Sequence, residues 1–216
     1  KQTAKVLRIK GSVIPVSYTQ TNLYAQYADG TIISEEHLID EPSHDGTIQI
    51  KNLWLQPKAK ANPEALEVLQ TADLIIFGPG DVYTSIIPNL LVEDIARTIQ
   101  NSKAQKIYVC NLMTKWGQTY NLTAREHLTI LERYIGKSIN IVLVNNGNIP
   151  KKALIFYKKY RERPVVDDLS VKEYYKIIKA ALVSNTIVQK NTSDILIRSL
   201  IRHDSDMLAK AINSVI

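Results

Sequence analysis

The sequence predicts an α/β fold: a Rossmann-like, mainly parallel sheet flanked by helices, with a β-rich hairpin portion at its N-terminal side. Three observations carry this. From residue 60 onward, short apolar runs of strand length alternate with segments whose apolar residues recur at helical spacing. The runs Leu74–Phe77, Ile107–Cys110 and Ile139–Val144 are apolar almost throughout, as strands covered on both faces are. Residues 5–57 lack this grammar and instead hold Asp29-Gly30, a hairpin-turn signal, between two apolar runs. The chain reads as a single domain over 1–216, with a β-rich part at 5–57 and an α/β part at 60–216.

In the β-rich part, strands are expected from Val6 to Val16, on either side of the turn within Leu23–Ile33, and from Thr47 to Leu55, where Pro57 stops the run. His37 and His44 fall in its loops without the Cys or carboxylate spacing of a metal site. Asn62-Pro63-Glu64 opens a short helix through Leu69, with Asn62 as cap and Pro63 at the first position. A helix follows over Asn89–Gln100, with Leu90, Leu91, Ile95 and Ile99 on one stripe. Thr123 and Glu126 form a capping-box pair ahead of Leu128, Leu131 and Ile135, and Gly136 ends that helix. Further helices are expected at Pro150–Arg161, Lys172–Leu182 and Asp204–Ile216, with a strand at Thr186–Gln189.

Composition narrows the function classes. A hydrophobic share of 45% with 22% charged residues describes a folded globular chain. No apolar run approaches the ~20 residues of a membrane helix, so no membrane is expected. The single cysteine, Cys110, sits inside a predicted strand and reads as a small core residue in a reducing, cytoplasmic setting. Glycosylation triplets at Asn121 and Asn191 then read as chance. The net charge of +6 draws on a basic run from Lys151 to Arg163, spaced like the solvated face of a helix. No aromatic-basic platform accompanies it, so nucleic acid is the poorer reading.

The stretch that carries chemistry is Phe77-Gly-Pro-Gly-Asp-Val-Tyr-Thr-Ser85. Here a strand breaks into a glycine loop, and a helix with Pro88 in its first turn follows. Gly78 and Gly80 free the backbone to point N–H groups at an anion, and Tyr83, Thr84 and Ser85 add hydroxyls. Many strand-to-helix turns use Gly and Pro only to reverse the chain, and this one is neither GxGxxG nor a Walker A sequence. Asp81 is its one carboxylate, either a cation ligand or a turn cap.

Three strands end in polar loops, at Gly78–Ser85, Asn111–Tyr120 and Asn145–Asn148. In a parallel sheet such ends open on one crevice. Asn111, Thr114 and Asn145 are its candidate hydrogen-bonding residues, and Trp116 and Tyr120 candidate covers. Arg202, beside His203 and Asp204, is a candidate phosphate clamp, while Asp204 suits a helix cap. No nucleophile stands with an evident base and no metal cluster is apparent, so no catalytic residue is assigned.

The run from Phe77 to Val92, together with Tyr108-Val-Cys-Asn-Leu-Met-Thr114, Gly117-Gln-Thr119, Val142-Leu-Val-Asn145 and Arg202-His-Asp204, resembles the bacterial gluconeogenesis-factor family (YvcK type) of the CofD-like superfamily. The resemblance covers roughly residues 8–216. That family opens with a glycine-rich element, roughly GGGTG, which has no counterpart in residues 1–216, so the chain is expected to resemble the C-terminal two-thirds of such a protein. Asp81 stands where the family commonly has Ser, and Gln118 where Glu is common.

The resemblance implies a cytoplasmic, homodimeric regulatory protein that binds a nucleotide sugar such as UDP-N-acetylglucosamine, or another phosphorylated small molecule. Such proteins link carbon metabolism to cell-wall synthesis and cell shape. Gly78, Pro79, Gly80, Asp81, Tyr83, Thr84 and Ser85 would hold the phosphates, and Asn111, Thr114, Asn145 and Arg202 would line the crevice. The alternative is a 2-phospho-L-lactate transferase, for which Mg2+ would be the cofactor.

Overall fold

The computed structural model describes residues 11–170, 173–184 and 200–216. Expected features at Val6–Lys10, at Thr186–Gln189 and at Asn191 lie outside the described residues, and 11–16 form no strand.

The β-rich part is a three-stranded antiparallel sheet of β1 (Asn22–Tyr27), β2 (Ile32–Ser34) and β3 (Ile50–Gln56), in the order β2-β1-β3. β1 and β2 form the hairpin that Asp29-Gly30 predicts. Gly30 takes φ 90°, and Asp29 Oδ1 accepts from the Thr31 N–H at 2.9 Å. Alternation along β1 buries Leu23, Ala25 and Tyr27 on one face, while Tyr24 stacks on Trp54 of β3 on the other, ring centroids 5.5 Å apart. After β2 comes a short helix, α1 (Glu36–Asp40), which places His37 on its exposed surface rather than in a loop. His44 does lie in a loop, its ring edge-on to Tyr27 at 4.2 Å.

The second sheet is fully parallel: β4 (Leu74–Phe77), β5 (Gln105–Val109), β6 (Ile141–Asn145) and β7 (Lys176–Ala180), in sequence order. β7 corrects the expected helix over Lys172–Leu182. Its Ile177-Ile178 pair is β-branched, and β6 offers an unfilled edge on which Ile141 to Asn145 pair with Lys176 to Ala180 in register. Tertiary pairing thus overrides a spacing that also reads as helical.

Helices cover both faces. α2 (Pro63–Thr71) starts as expected, with Asn62 Oδ1 accepting from the Glu64 N–H at 3.1 Å. The helix expected over Asn89–Gln100 is broken. α3 (Ile87–Leu90) ends in a turn, Asp94 adopts the left-handed region at φ 66°, and α4 (Ile95–Asn101) begins anew. α5 (Ala124–Ile135) carries the Thr123–Glu126 capping box and ends at Gly136, φ 63°. It buries Leu128, Leu131 and Ile135, each worth about 1.5–3 kcal/mol relative to exposure. α6 (Lys151–Lys159) and α7 (Ser205–Asn213) complete the fold. Asp204 caps α7 by accepting from the Asp206 and Met207 N–H groups.

Strand alternation sorts the packing. Ile75, Phe77, Tyr108, Cys110, Val142 and Val144 join one core with α2, α4, α5 and the antiparallel sheet. Ile107, Val109, Ile141 and Leu143 point the other way, onto Ala211 and Leu208 of α7. A third cluster, Leu112, Ala153, Tyr157 and Ile201, packs α6 over the carboxyl ends of the strands. That last packing shapes the site.

Candidate functional site

At the carboxyl edge of the parallel sheet lies a cavity of about 630 Å³. Its floor is the loop after β4 and the loop after β5. Asn111 ties the two together, Nδ2 donating to the Gly80 carbonyl at 2.9 Å. A third wall comes from residues 201–205. They reach this place because His203 bridges Val183 just beyond β7, with Ser184 N donating to Arg202 O and Asp204 N to Leu182 O.

Of the residues expected from sequence, Pro79, Gly80, Asp81, Asn111, Thr114 and Arg202 line this cavity. The others stand elsewhere. Tyr83 and Thr84 are buried in a five-residue π-turn, Val82–Ile86, and burial pushes the Tyr83 phenol up to about 12. In that turn the N–H groups of Ser85 and Ile86 both donate to the Asp81 carbonyl, and the Ile87 N–H reaches back to Val82. Gly78 and Ser85 face a separate, mostly apolar groove between α2, α3 and α4.

Asn145 folds back on its own loop. Its side chain donates to the Gly147 carbonyl at 2.8 Å and accepts from the N–H groups of Gly147 and Leu182. It braces the end of β6 and does not reach the cavity. The Asn145–Asn148 loop lies outside the cavity's lining, where residues 201–205 form the third wall. The Thr114 hydroxyl is taken up by the Arg163 N–H at 3.1 Å. Trp116 and Tyr120 are half-buried and pack edge-to-face at 4.8 Å, with the Arg161 guanidinium 4.6 Å over the Trp116 ring, so they are tucked onto the body.

Asp81 makes no cap hydrogen bond to the turn that follows it. It faces Asp40, at the end of α1, and Lys115. Lys115 Nζ lies 3.5 Å from Asp40 Oδ1, and Gln118 Nε2 fixes the same oxygen at 2.9 Å. Glu162, just after α6, accepts from the Trp116 N–H. Burial raises the Asp81 carboxyl above its usual range, with Lys115 opposing. Burial likewise lifts Glu162 to about 7, against the pull of Lys115 and the Trp116 N–H and with the help of Asp81 and Asp40. For Lys115 burial acts downward, but Asp81, Asp40 and Glu162 outweigh it and hold the ammonium above its ordinary value.

Sequence reasoning overlooked Asp40, Lys115, Glu162, Tyr157 and His203 as cavity residues. Glu162 was visible as the one carboxylate in the basic run 151–163, and Lys115 belonged to a loop already singled out. Nothing local marks Asp40. Two polar atoms on the cavity's lining residues, Asn111 Oδ1 and His203 Nε2, are buried and have no hydrogen-bond partner among the described residues. Burial lowers the His203 pKa, partly countered by a hydrogen bond to the Cys110 backbone, so its imidazole is neutral at pH 7. Cys110 itself is a core residue, its thiol pushed by burial up to about 12.

The residues fit a magnesium ion poorly. The carboxylates that could supply oxygen ligands are gathered around an ammonium. Among the described residues, no three Asp, Glu, His or Cys side chains are arranged to hold a metal.

A parallel sheet with its cavity at the carboxyl ends of the strands defines a Rossmann-like α/β fold. The model of the family described as 2-phospho-L-lactate transferase CofD matches residues 1–187, and the chain belongs to that family. Among curated relatives, the putative gluconeogenesis factor of Aquifex aeolicus is 41% identical over 173 residues, covering 78% of this chain and 52% of the relative. The gluconeogenesis factor of Bacillus subtilis is 34% identical over 210 residues, covering 96% of this chain and 62% of its own. A crystal structure of a Bacillus halodurans protein superposes with a TM-score of 0.82 at 31% identity, over 98% of this chain and 65% of that one. The chain thus spans between 44% and 64% of the length of the curated relatives compared.

Proposed function

We propose that this chain is the ligand-binding part of a regulatory protein of the gluconeogenesis-factor type, whose cavity takes a nucleotide sugar of the UDP-N-acetylglucosamine kind. Its role is to link carbon metabolism to cell-wall synthesis and cell shape. The observation that carries the reading is the cavity itself. Pro79, Gly80 and Asp81 of the glycine loop share with Arg202 the lining of about 630 Å³, and Asn111 Oδ1 and His203 Nε2, on residues of that lining, are buried and without a hydrogen-bond partner among the described residues. A glycine loop and a guanidinium suit a diphosphate. Unpaired side-chain atoms suit the hydroxyl and base donors of a nucleoside. The reading includes a cytoplasmic location and a homodimer. The buried free thiol of Cys110 suits the former, and no helix among the described residues is long and apolar enough to cross a membrane.

The test is thermal unfolding with UDP-N-acetylglucosamine, UDP and GDP, alongside a Gly80→Val variant. A Cβ at Gly80 would stand 3.2 Å from Ser85 Cβ and 4.0 Å from Ile86 Cγ1, so a branched side chain crowds the loop. At ligand about 100-fold above Kd the midpoint shift corresponds to about 2.7 kcal/mol. The shift is expected with the uridine ligands, without turnover, and to shrink at least tenfold in affinity in the variant. A variant that folds and binds as well as the parent would remove the glycine loop from the site.

The family description favours a second reading, a 2-phospho-L-lactate transferase. It requires product formed from a guanosine-diphosphate-activated donor with magnesium, and loses its support if turnover is absent with both guanosine and uridine donors.

A further inference from the structure

Four segments distant in sequence bring charged side chains to the lining of one cavity. Lys115, in the loop after β5, contacts Asp40 at the end of α1 at 3.5 Å, and the charges of Asp81 from the glycine loop and Glu162 after α6 act on it. Asp40 is pinned by Gln118 at 2.9 Å and faces Asp81, while Glu162 is held by the Trp116 backbone. The Lys115 side chain is only 25% exposed and lines both the main cavity and a smaller one of about 340 Å³ walled by Trp116, Phe156 and Tyr160. Three carboxylates against one cation at the mouth of an anion site is the charge pattern that oxygen-ligated metals usually complete. Here the lysine stands among them. An ammonium is a compact point charge with three donors, able to satisfy carboxylates on one side and a phosphate on the other.

We infer that Lys115 is the resident cation of the cavity: its ammonium contacts Asp40, stands on one wall with Asp81 and Glu162, and presents positive charge to a phosphate-bearing ligand without a divalent metal. The ligand half of this inference rests on the function proposed above. The resident-cation half does not.

The experiment therefore has an arm that needs no ligand. Thermal midpoints of the parent chain, Lys115→Met and Lys115→Arg are compared in EDTA, in MgCl2 and in KCl of matched ionic strength. The parent is expected to show the same midpoint in all three. Lys115→Met should melt about 5 °C lower in EDTA, on the scale expected for a chain of this size. MgCl2 should restore no more of that loss than the matched KCl, because no three acidic side chains among the described residues are arranged to hold a metal. Lys115→Arg should stay near the parent and ignore magnesium. A magnesium-specific rise in the parent would overturn the inference, as would a Lys115→Met protein that is as stable as the parent. Should Lys115→Met not fold, the parent's response and that of Lys115→Arg decide the matter.

In the second arm, UDP-N-acetylglucosamine should bind the parent equally with and without EDTA and bind Lys115→Met at least tenfold more weakly. Failure of the parent to bind any uridine ligand would count against the proposed function and leave the stability arm to judge Lys115.

Discussion

Replacing Glu162 by Gln should stabilise the protein in mildly alkaline solution and leave its stability unchanged in acid. Burial raises the Glu162 carboxyl from its ordinary 4.5. Lys115 and the Trp116 N–H oppose the rise, Asp81 and Asp40 add to it, and the result is about 7. Below 4.5 the carboxyl is protonated in the folded and the unfolded chain alike, so it adds no pH dependence. Between 4.5 and 7 the unfolded chain releases the proton while the folded chain keeps it, and stability falls as pH rises. Above 7 both forms are ionised and the folded state carries the whole cost of a charged group in a half-buried, already acidic site. At about 1.4 kcal/mol for each tenfold step, that cost is roughly 3 kcal/mol.

Gln keeps the shape and an oxygen that can accept from the Trp116 N–H, and removes the charge. The variant should therefore unfold about 5–10 °C above the parent near pH 8, with the gap closing to nothing near pH 4. The assay is a pair of midpoint-against-pH profiles by circular dichroism. A gap that does not change with pH, or a variant less stable than the parent at pH 8, would refute the electrostatic account of this wall.

Two further outcomes follow from geometry away from the cavity. Thr123→Ala removes the hydroxyl that accepts the Glu126 N–H at 3.3 Å and half of the α5 capping box, which should cost about 1 kcal/mol and lower the midpoint by about 3 °C. Cys110, 1% exposed and with its thiol raised to about 12, should react with an aromatic disulfide reagent only after denaturation, and rapid labelling of the native protein would contradict its placement.

Much of the fold was legible because local and tertiary preferences agree. Asn62, Thr123, Gly136 and Asp204 act at helix ends as their chemistry dictates, and Asp29-Gly30 makes the hairpin turn. The misreadings fall where they part. Lys176–Ala180 has spacing compatible with a helix, and only the open edge of β6 makes it a strand. The break at Asp94 rests on a left-handed residue that no apolar pattern announces.

The site divides in the same way. The glycine loop and Asn111 were visible because strand ends in a parallel sheet share an edge. Asp40 was not, since its place beside Lys115 depends on how the antiparallel layer docks. Asn145 could be read as a ligand contact or a turn brace, and its hydrogen bonds to its own loop show the brace.

The pairing of Gln118 with Asp40 spans 78 positions of sequence, and that of Asn111 with Gly80 spans 31. Around them Gly117 donates to the Gly46 carbonyl, and it sits so close to Pro42 that a Cβ there would collide with the proline ring. The loop that carries Lys115 is thus clamped by the linker between β2 and β3. Contacts of such long range close late, because the chain entropy of joining distant segments must be met before they form. A partly folded chain with its parallel sheet in place but its β1–β3 layer undocked keeps the glycine loop and most of the cavity's lining, and lacks the Asp40 that fixes Lys115. A ligand seated against Lys115 would bind best once the two layers have docked, and part of its binding energy would resist their separation.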